Sequence, residues 1–403
     1  MQNVTDLLCA LISIPSVNPM GRSVDGDVYF EGRMTRWLQS FFADCGVEQE
    51  TIEVVPGRAN VLARYGNDPH KPTLLWDAHQ DTVPVEGMTI DPFKPVVEQG
   101  RVYGRGACDV KGAMAAMLWA FRRICAERKT LSHNLVMSCS CDEEATALGI
   151  IDLISYWNPG SKRSRLLSTK PIGAVVAEPT DLDIVVAHRG VTRFRIHTHG
   201  RACHSSDPKQ GVNAIYRMAK VLHVLEEYAE VLTQSVQPHP LCGGATLSVG
   251  RIEGGISVNV VPDHCAIEID RRLIPGEDPK AAAEQIRDYL KQRLDFEVEF
   301  EKPWIECCAL TDADNDPLAS LLLQTMDRWD QERVQQGTSP LCGPRKRVGV
   351  PYGTNASTLC EGGVPAVVFG PGSIAQAHTK DEYIEISELE KGTEIYYRSV
   401  TGN

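Results

Sequence analysis

Hydrophobic residues fall into two textures along this chain. Residues 59–64, 72–77, 135–140 and 173–177 are short, nearly uninterrupted apolar runs, the pattern of strands buried on both faces. Residues 3–16 and 28–45 carry apolar positions at helical spacing, and 112–120 is apolar nearly all round, which predicts a central helix covered by sheet and other helices. From about residue 190 the texture changes. Residues 191–199 and 266–271 alternate strictly, as strands with one wet face do, and helical patterns occupy 211–234 and 278–293. The first texture returns with a helix at 315–330 and a strand at 366–369. The pattern predicts an α/β domain built from residues 1–189 and 303–403, interrupted by an inserted α+β domain at 190–302, with 333–350 as a mobile connection. A length of 403 residues fits this division, because it exceeds what one hydrophobic core usually serves.

The predicted strands end in chemistry. The run at 72–77 leads to His79, Gln80 and Asp81, and the glycine-rich turn Gly104-Arg105-Gly106-Ala107-Cys108-Asp109 precedes the central helix. The run at 135–140 ends in Asp142-Glu143-Glu144, that at 173–177 in Glu178, and the last strand leads through Gly370-Pro371-Gly372 to His378. The ends of strands in an open α/β sheet are where such folds gather ligands. Imidazole and carboxylate donors in this number are enough for two ions of the Zn²⁺ or Co²⁺ type.

Composition narrows the alternatives. A formal charge of −12 disfavours general nucleic-acid binding, and the basic run Pro344-Arg345-Lys346-Arg347 reads as a solvated loop. No apolar stretch approaches the roughly 20 residues that span a bilayer, and the first residues read as an amphipathic helix rather than a secretion signal, so a cytoplasmic protein is expected. Thirteen cysteines, with no CxxC pair, predict buried thiols rather than a disulfide framework. Cys139 and Cys141 share a strand face and are read as packing. His197 and His199, in the alternating strand, receive no chemical role, and His188 is read as a hinge residue without chemistry.

Six motifs in order carry a resemblance: His79-x-Asp81-Thr82-Val83-Pro84, Gly104-Arg105-Gly106-x-x-Asp109-x-Lys111-Gly112, Glu143-Glu144, Glu178-Pro179-Thr180, Gly200-x-x-x-His204-Ser205-Ser206, and Ala377-His378. Together they resemble the M20 metallopeptidase family over nearly the whole chain. The resemblance implies a discontinuous dinuclear-metal catalytic domain of the α/β class with an inserted α+β lid and dimerisation domain. It also implies two divalent ions per chain, Zn²⁺ or Co²⁺, bridged by Asp109. His79 and Glu178 would complete the first ion's protein ligands, and Glu144 and His378 the second's. Two such ions lower the pKa of a shared water. Glu143 matches the family's general base, and Asp81 the carboxylate that accepts the other N–H of the His79 ring.

In the inserted domain the resemblance makes His204 a donor to the tetrahedral oxyanion, presented across a homodimer by the lid. Asn259 and Arg272 match substrate-contacting lid residues; the spacing to Pro275 selects Arg272 over Arg271. Gly353 and Thr354 resemble a substrate-contacting turn, but many relatives continue with an aspartate and an arginine where this chain has Asn355-Ala356-Ser357. The expected activity is hydrolysis of the amide bond of a small N-acyl amino acid, first of the acetylornithine deacetylase type. Succinyl-diaminopimelate desuccinylase-like and carboxypeptidase-type activities are alternatives, and a catalytically silent binding protein on the same scaffold is the alternative of another class.

Overall fold

The structure, a computed structural model, describes residues 1–402, which divide into two compact units. The first comprises Met1–Val186, Asp312–Val348 and residues 354–402, and the second Ala187–Thr311 with Gly349–Gly353. The second unit runs past residue 302 because the strand Ile305–Cys307 pairs with Gly190–His199, and it takes in the 349–353 segment, where the Arg189 N–H donates to the Val350 carbonyl.

The first unit is organised by an eight-stranded sheet in the order Glu48–Val55, Arg58–Tyr65, Asn134–Ser140, Thr73–His79, Gly173–Val176, Ala366–Val368, Ile184–His188, Arg347–Val350. Its four middle strands, from Asn134–Ser140 to Ala366–Val368, run parallel. Every residue of Thr73–His79 and of Asn134–Ser140 is buried, as their continuous apolar runs require. Register places His79 beside Ser140, so the chemistry predicted at the strand ends emerges along one edge of the parallel core.

The central helix, Lys111–Glu127, is buried from Lys111 through Leu118. It packs against Val4–Ile12 and Ile386–Thr401, in a core that also holds Trp76, Phe42, Phe121 and Tyr396. Full burial of a large apolar side chain contributes about 1.5–3 kcal/mol, so this helix is a rigid platform for the turn carrying Asp109. The helix beginning at Asp316 continues to Gln335, and the Asp330 carboxylate collects the N–H groups of Leu341, Cys342 and Gly343 at 2.7, 3.0 and 2.9 Å, which ties down much of the segment expected to be mobile.

The second unit is an antiparallel sheet ordered Thr246–Gly254, His264–Leu273, Gly190–His199, Glu299–Phe300, with helices Ala214–Ser235 and Pro279–Lys291 packed with it. Phe194, Ile196, Ile267 and Ile269 point to these helices, where they meet Met218, Val221, Leu225 and Ile286. The intervening positions, among them Arg193, Arg195, His197 and His199, form the opposite face. No helix among the described residues is long and apolar enough to cross a membrane.

Candidate metal centre

The first unit brings five of the predicted ligands together. Ligand atoms of His79, Asp109 and Glu178 lie within 4.8 Å of one another, and so do those of Asp109, Glu144 and His378. Asp109 is common to both groups: its Oδ1 is 3.3 Å from His79 Nε2 and its Oδ2 is 3.1 Å from His378 Nε2. Glu178 lies 3.9 Å from His79 Nε2, and Glu144 3.4 Å from His378 Nε2. His79, Asp109 and Glu178 are buried, whereas the His378 side chain is half exposed.

Close approach depends on two glycines. Gly106 has φ +82°, a backbone conformation that disfavours any residue with a Cβ, in the turn that delivers Asp109. A Cβ on Gly370 would stand 2.5 Å from the Glu178 carbonyl oxygen, so only glycine lets these two strand ends meet.

The Asp109 turn is held by Glu382. Its carboxylate accepts from the N–H groups of Gly106, Cys108 and Asp109 at 3.0, 2.8 and 2.9 Å, and pairs with the Arg105 guanidinium at 2.7 Å. This fully buried acid was not singled out in the sequence, because no motif surrounds it; its place four residues after His378 is the only local signal.

A second network aims the Glu143-Glu144 turn. Asp142 adopts φ +61°, a left-handed conformation that aspartate tolerates better than most residues, and swings the chain away from the end of its strand. The Glu143 and Glu144 N–H groups both donate to the Asp81 carboxylate at 3.1 Å. Asn18 Nδ2 bridges Asp81 and Asp142 at 2.7 and 2.9 Å, and Arg58 pairs with both Asp142 and Glu31. Asn18, Glu31 and Arg58 were also missed, being dispersed polar residues without a spacing signature, and Asp142, although read as part of the acidic strand end, was given no role of its own.

Asp81 differs from its expected role. The His79 Nδ1–H donates to the main-chain carbonyl of Asp81 at 2.9 Å, while the Asp81 carboxylate lies 3.5 Å away. The carbonyl therefore sets the ring's tautomer, and leaves Nε2 as the ligand atom. The carboxylate instead carries the backbone of the two glutamates, because Asn18 and the turn N–H groups occupy its oxygens.

The electrostatics call for positive charge. Burial raises the carboxyl pKa values of Glu178, Glu144 and Glu143, with neighbouring acids adding to the effect; Glu144 reaches about 7 and Glu143 about 8. Bonds to Asp109 and Glu144 raise His378 to about 11. Burial opposes protonation of His79, but its contacts with Asp109 and Asp81 outweigh that and hold it well above the ordinary histidine value. His79 Nε2, in the ligand group, is buried without a hydrogen-bond partner, and so is Glu144 Oε1, on the carboxylate whose other oxygen lies 3.4 Å from His378 Nε2. Two orphaned donor atoms, a shared carboxylate and a mixed imidazole and carboxylate set fit a pair of divalent ions better than a hydrogen-bonded polar core.

The remaining predicted residues are placed differently. His204 and Asn259 are exposed neighbours in the second unit: the Cys203–His204 strand pairs with Val260–Val261, and the Ser205 N–H donates to the Asn259 carbonyl at 3.0 Å. Arg272, on the strand His264–Leu273, forks onto Asp270 at 2.7 and 3.2 Å, whereas Arg271 is fully buried and pairs with Glu277. Gly353 closes the short segment of the second unit. Thr354 caps the helix Asn355–Glu361, and Asn355 Nδ2 donates to Asp77 and Ser140 at 3.0 and 3.1 Å. Asn355 is thus an internal strut. Buried His188 has its pKa lowered to about 4 by desolvation, and its Nδ1 bonds the Arg189 carbonyl at 2.9 Å.

Fold and site together define a metal-dependent amidohydrolase with ligands for two divalent ions. The sequence pattern of peptidase family M20/M25/M40 matches residues 75–401, and the chain belongs to that family. It is 31% identical over 398 residues to an acetylornithine deacetylase of Vibrio campbellii, covering 97% of this chain and 96% of the relative, and 30% identical over 371 residues to one of Myxococcus xanthus, covering 90% and 86%. Its fold is similar to that of an M20 metallo-carboxypeptidase from Sulfolobus solfataricus, with a TM-score of 0.78, 18% identity, and coverage of 100% and 99%. It is also similar to a dinuclear metal-binding M20 peptidase of Bacillus subtilis, with a TM-score of 0.64, 16% identity, and coverage of 99% and 96%.

Proposed function

We propose that this amidohydrolase removes a small acyl group from the nitrogen of an amino acid, in the manner of an acetylornithine deacetylase. The observation that carries the reading is the division of labour in Glu143-Glu144. Glu144 faces Asp109 and His378, while Glu143 belongs to neither ligand group and keeps its carboxyl available beside them. Two divalent ions on His79, Asp109, Glu178, Glu144 and His378, either Zn²⁺ or Co²⁺, would polarise the amide carbonyl and acidify water.

The chain's own residues do the rest. A Glu143 carboxylate oxygen takes a proton from the attacking water as its oxygen bonds to the acyl carbon. The same carboxyl then gives that proton to the leaving nitrogen as the C–N bond breaks, releasing a carboxylate and the free amino acid. Burial raises its pKa to about 8, which favours the protonated state needed for the second step, while nearby cations would favour the ionised state needed for the first. The ring N–H of His204 donates to the tetrahedral oxyanion. We assign it to the lid of a second copy in a homodimer, for which exposed Ile256 and Val258, close to Asn259, offer apolar surface. Arg272, released from Asp270, takes the amino acid's carboxylate with Asn259, Gly353 and Thr354 around it.

The relatives named acetylornithine deacetylase favour an acetyl group and ornithine. The test is hydrolysis of N-acetyl-ornithine, N-succinyl-diaminopimelate and dipeptides by zinc- or cobalt-loaded protein. Preferential turnover of N-acetyl-ornithine is expected. Failure to hydrolyse it, with turnover of either other class, would replace this assignment.

A further inference from the structure

The polar face of the second unit's sheet carries a cluster that the hydrolytic site does not use. His197 and His199 lie two apart on Gly190–His199 and so share a face, and register sets His264 directly opposite His199. The three rings have centroids 5.2, 5.6 and 6.5 Å apart. His197 Nδ1 and His264 Nε2 face each other at 3.0 Å. They border a cavity of about 440 Å³ whose two arginines, Arg195 and Arg251, are paired with Glu268, so the local cationic charge is largely compensated.

The outer nitrogens are also engaged. His197 Nε2 is 2.8 Å from a Glu301 carboxylate oxygen, and His199 Nε2 is 2.7 Å from one of Glu299. The bond to His199 holds the Glu299 carboxyl below its usual range. A carboxylate acceptor on Nε2 fixes the proton there and leaves the Nδ1 lone pair of each ring available. Backing imidazole with carboxylate is how proteins orient histidine ligands and raise their basicity. A surface packing role does not require two such pairs beside a third imidazole.

We propose that this face binds one divalent first-row transition-metal ion through His197 Nδ1 and His264 Nε2, with His199 Nδ1 as a third donor and Glu301 and Glu299 as the orienting carboxylates. The pair at 3.0 Å needs only a small separation to admit an ion with metal–nitrogen bonds of about 2.0–2.1 Å. With Nε2–H of His197 on Glu301, the contact is made by His264 Nε2–H donating to His197 Nδ1. Binding moves the His264 proton to its Nδ1, so a neutral pair takes the ion without net proton loss. His199 is more than half exposed and joins by rotating its side chain. Imidazole donors select Zn²⁺, Ni²⁺ or Cu²⁺ over Mg²⁺ or Ca²⁺. The ion would clip His264–Leu273 to Gly190–His199 and, through the carboxylates, to the 299–301 segment.

The test uses full-length protein loaded with zinc, freed of excess metal and titrated with Cu²⁺. Zinc and copper are assayed on the same sample, and copper ligation is read by electron paramagnetic resonance. Expected are one copper per chain with nitrogen couplings, unchanged zinc, loss of that copper in the double variant His197→Gln/His264→Gln with unchanged zinc and hydrolysis, and about 10–100-fold weaker copper binding in Glu301→Gln. His223→Gln, elsewhere on the same unit, retains the copper. Equal copper uptake by wild type and the double variant, with or without displaced zinc, or no copper binding by wild type, would overturn the proposal.

Discussion

In the first unit, His79, Asp81, Asp109 and Glu178 are each less than a tenth exposed, and His79, Asp81 and Asp109 are held by neighbours that are themselves buried. In the second, His204 and Asn259 stand in solvent and Arg272 is occupied by Asp270. The contrast separates two tasks. Ion-binding geometry is built into a rigid core, where Glu382 and Asn18 hold the turns before any ligand arrives. The groups proposed to contact substrate would need room to admit and release a molecule, and on that proposal they are assembled only when it binds.

The contrast breaks first at Glu143. Glu143→Gln keeps the shape but removes the base; a fall in kcat of about 10²–10⁴-fold is expected, with the metal content of wild type. Loss of metal together with activity would make Glu143 a ligand and erase the division between the two glutamates.

The metal centre should also titrate. His378, raised to about 11, is protonated throughout the neutral range, and Glu144, raised to about 7, is protonated below it. Each proton must leave before its ligand atom can bind, as must that of His79, so affinity rises with pH: at least about tenfold per unit above pH 7 and more steeply below it. Competition with a chelator of known pH dependence measures this. An affinity independent of pH between 6 and 8 would remove these two residues from the ligand set.

A smaller effect is expected at His204. His204→Ala should lower kcat by about 10²–10³-fold without altering metal content, as removal of an oxyanion donor does. Activity close to that of wild type would remove His204 from the proposed machinery.

The least change in chemistry, and a measurable one in stability, is expected from Asn18→Ala. It strips a donor from two buried carboxylates, at a cost of about 1–3 kcal/mol, read from the urea midpoint of the metal-free protein. An unchanged midpoint would show that the Asp81 and Asp142 network does not need its bridge.

Much of the ligand set was legible because its members end buried strands, and the apolar runs at 72–77, 135–140 and 173–177 mark those strands clearly. The helix at 112–120 was legible for the same reason, since its surface is apolar all round. Glu48–Val55 was not: its residues are mostly polar, and it is a strand because Arg58–Tyr65 pairs with it, a long-range fact absent from local pattern. The supports Glu382, Asn18, Glu31 and Arg58 were hidden likewise, because a residue that acts by hydrogen-bonding a distant turn has no required spacing. At Asp81 the motif was readable but its atoms were not; whether carbonyl or carboxylate meets the imidazole is a matter of backbone geometry. Asn355 shows the converse, a departure from pattern that the fold turns inward onto Asp77.

The central claim is that Asp109 joins two ion sites into one centre. Metal analysis of wild type, His378→Ala and Asp109→Ala after equilibration with excess zinc and removal of unbound metal tests it most directly. The account predicts two ions, one ion and fewer than one ion per chain, respectively. Retention of a full ion by Asp109→Ala, with its affinity unchanged, would contradict a shared carboxylate.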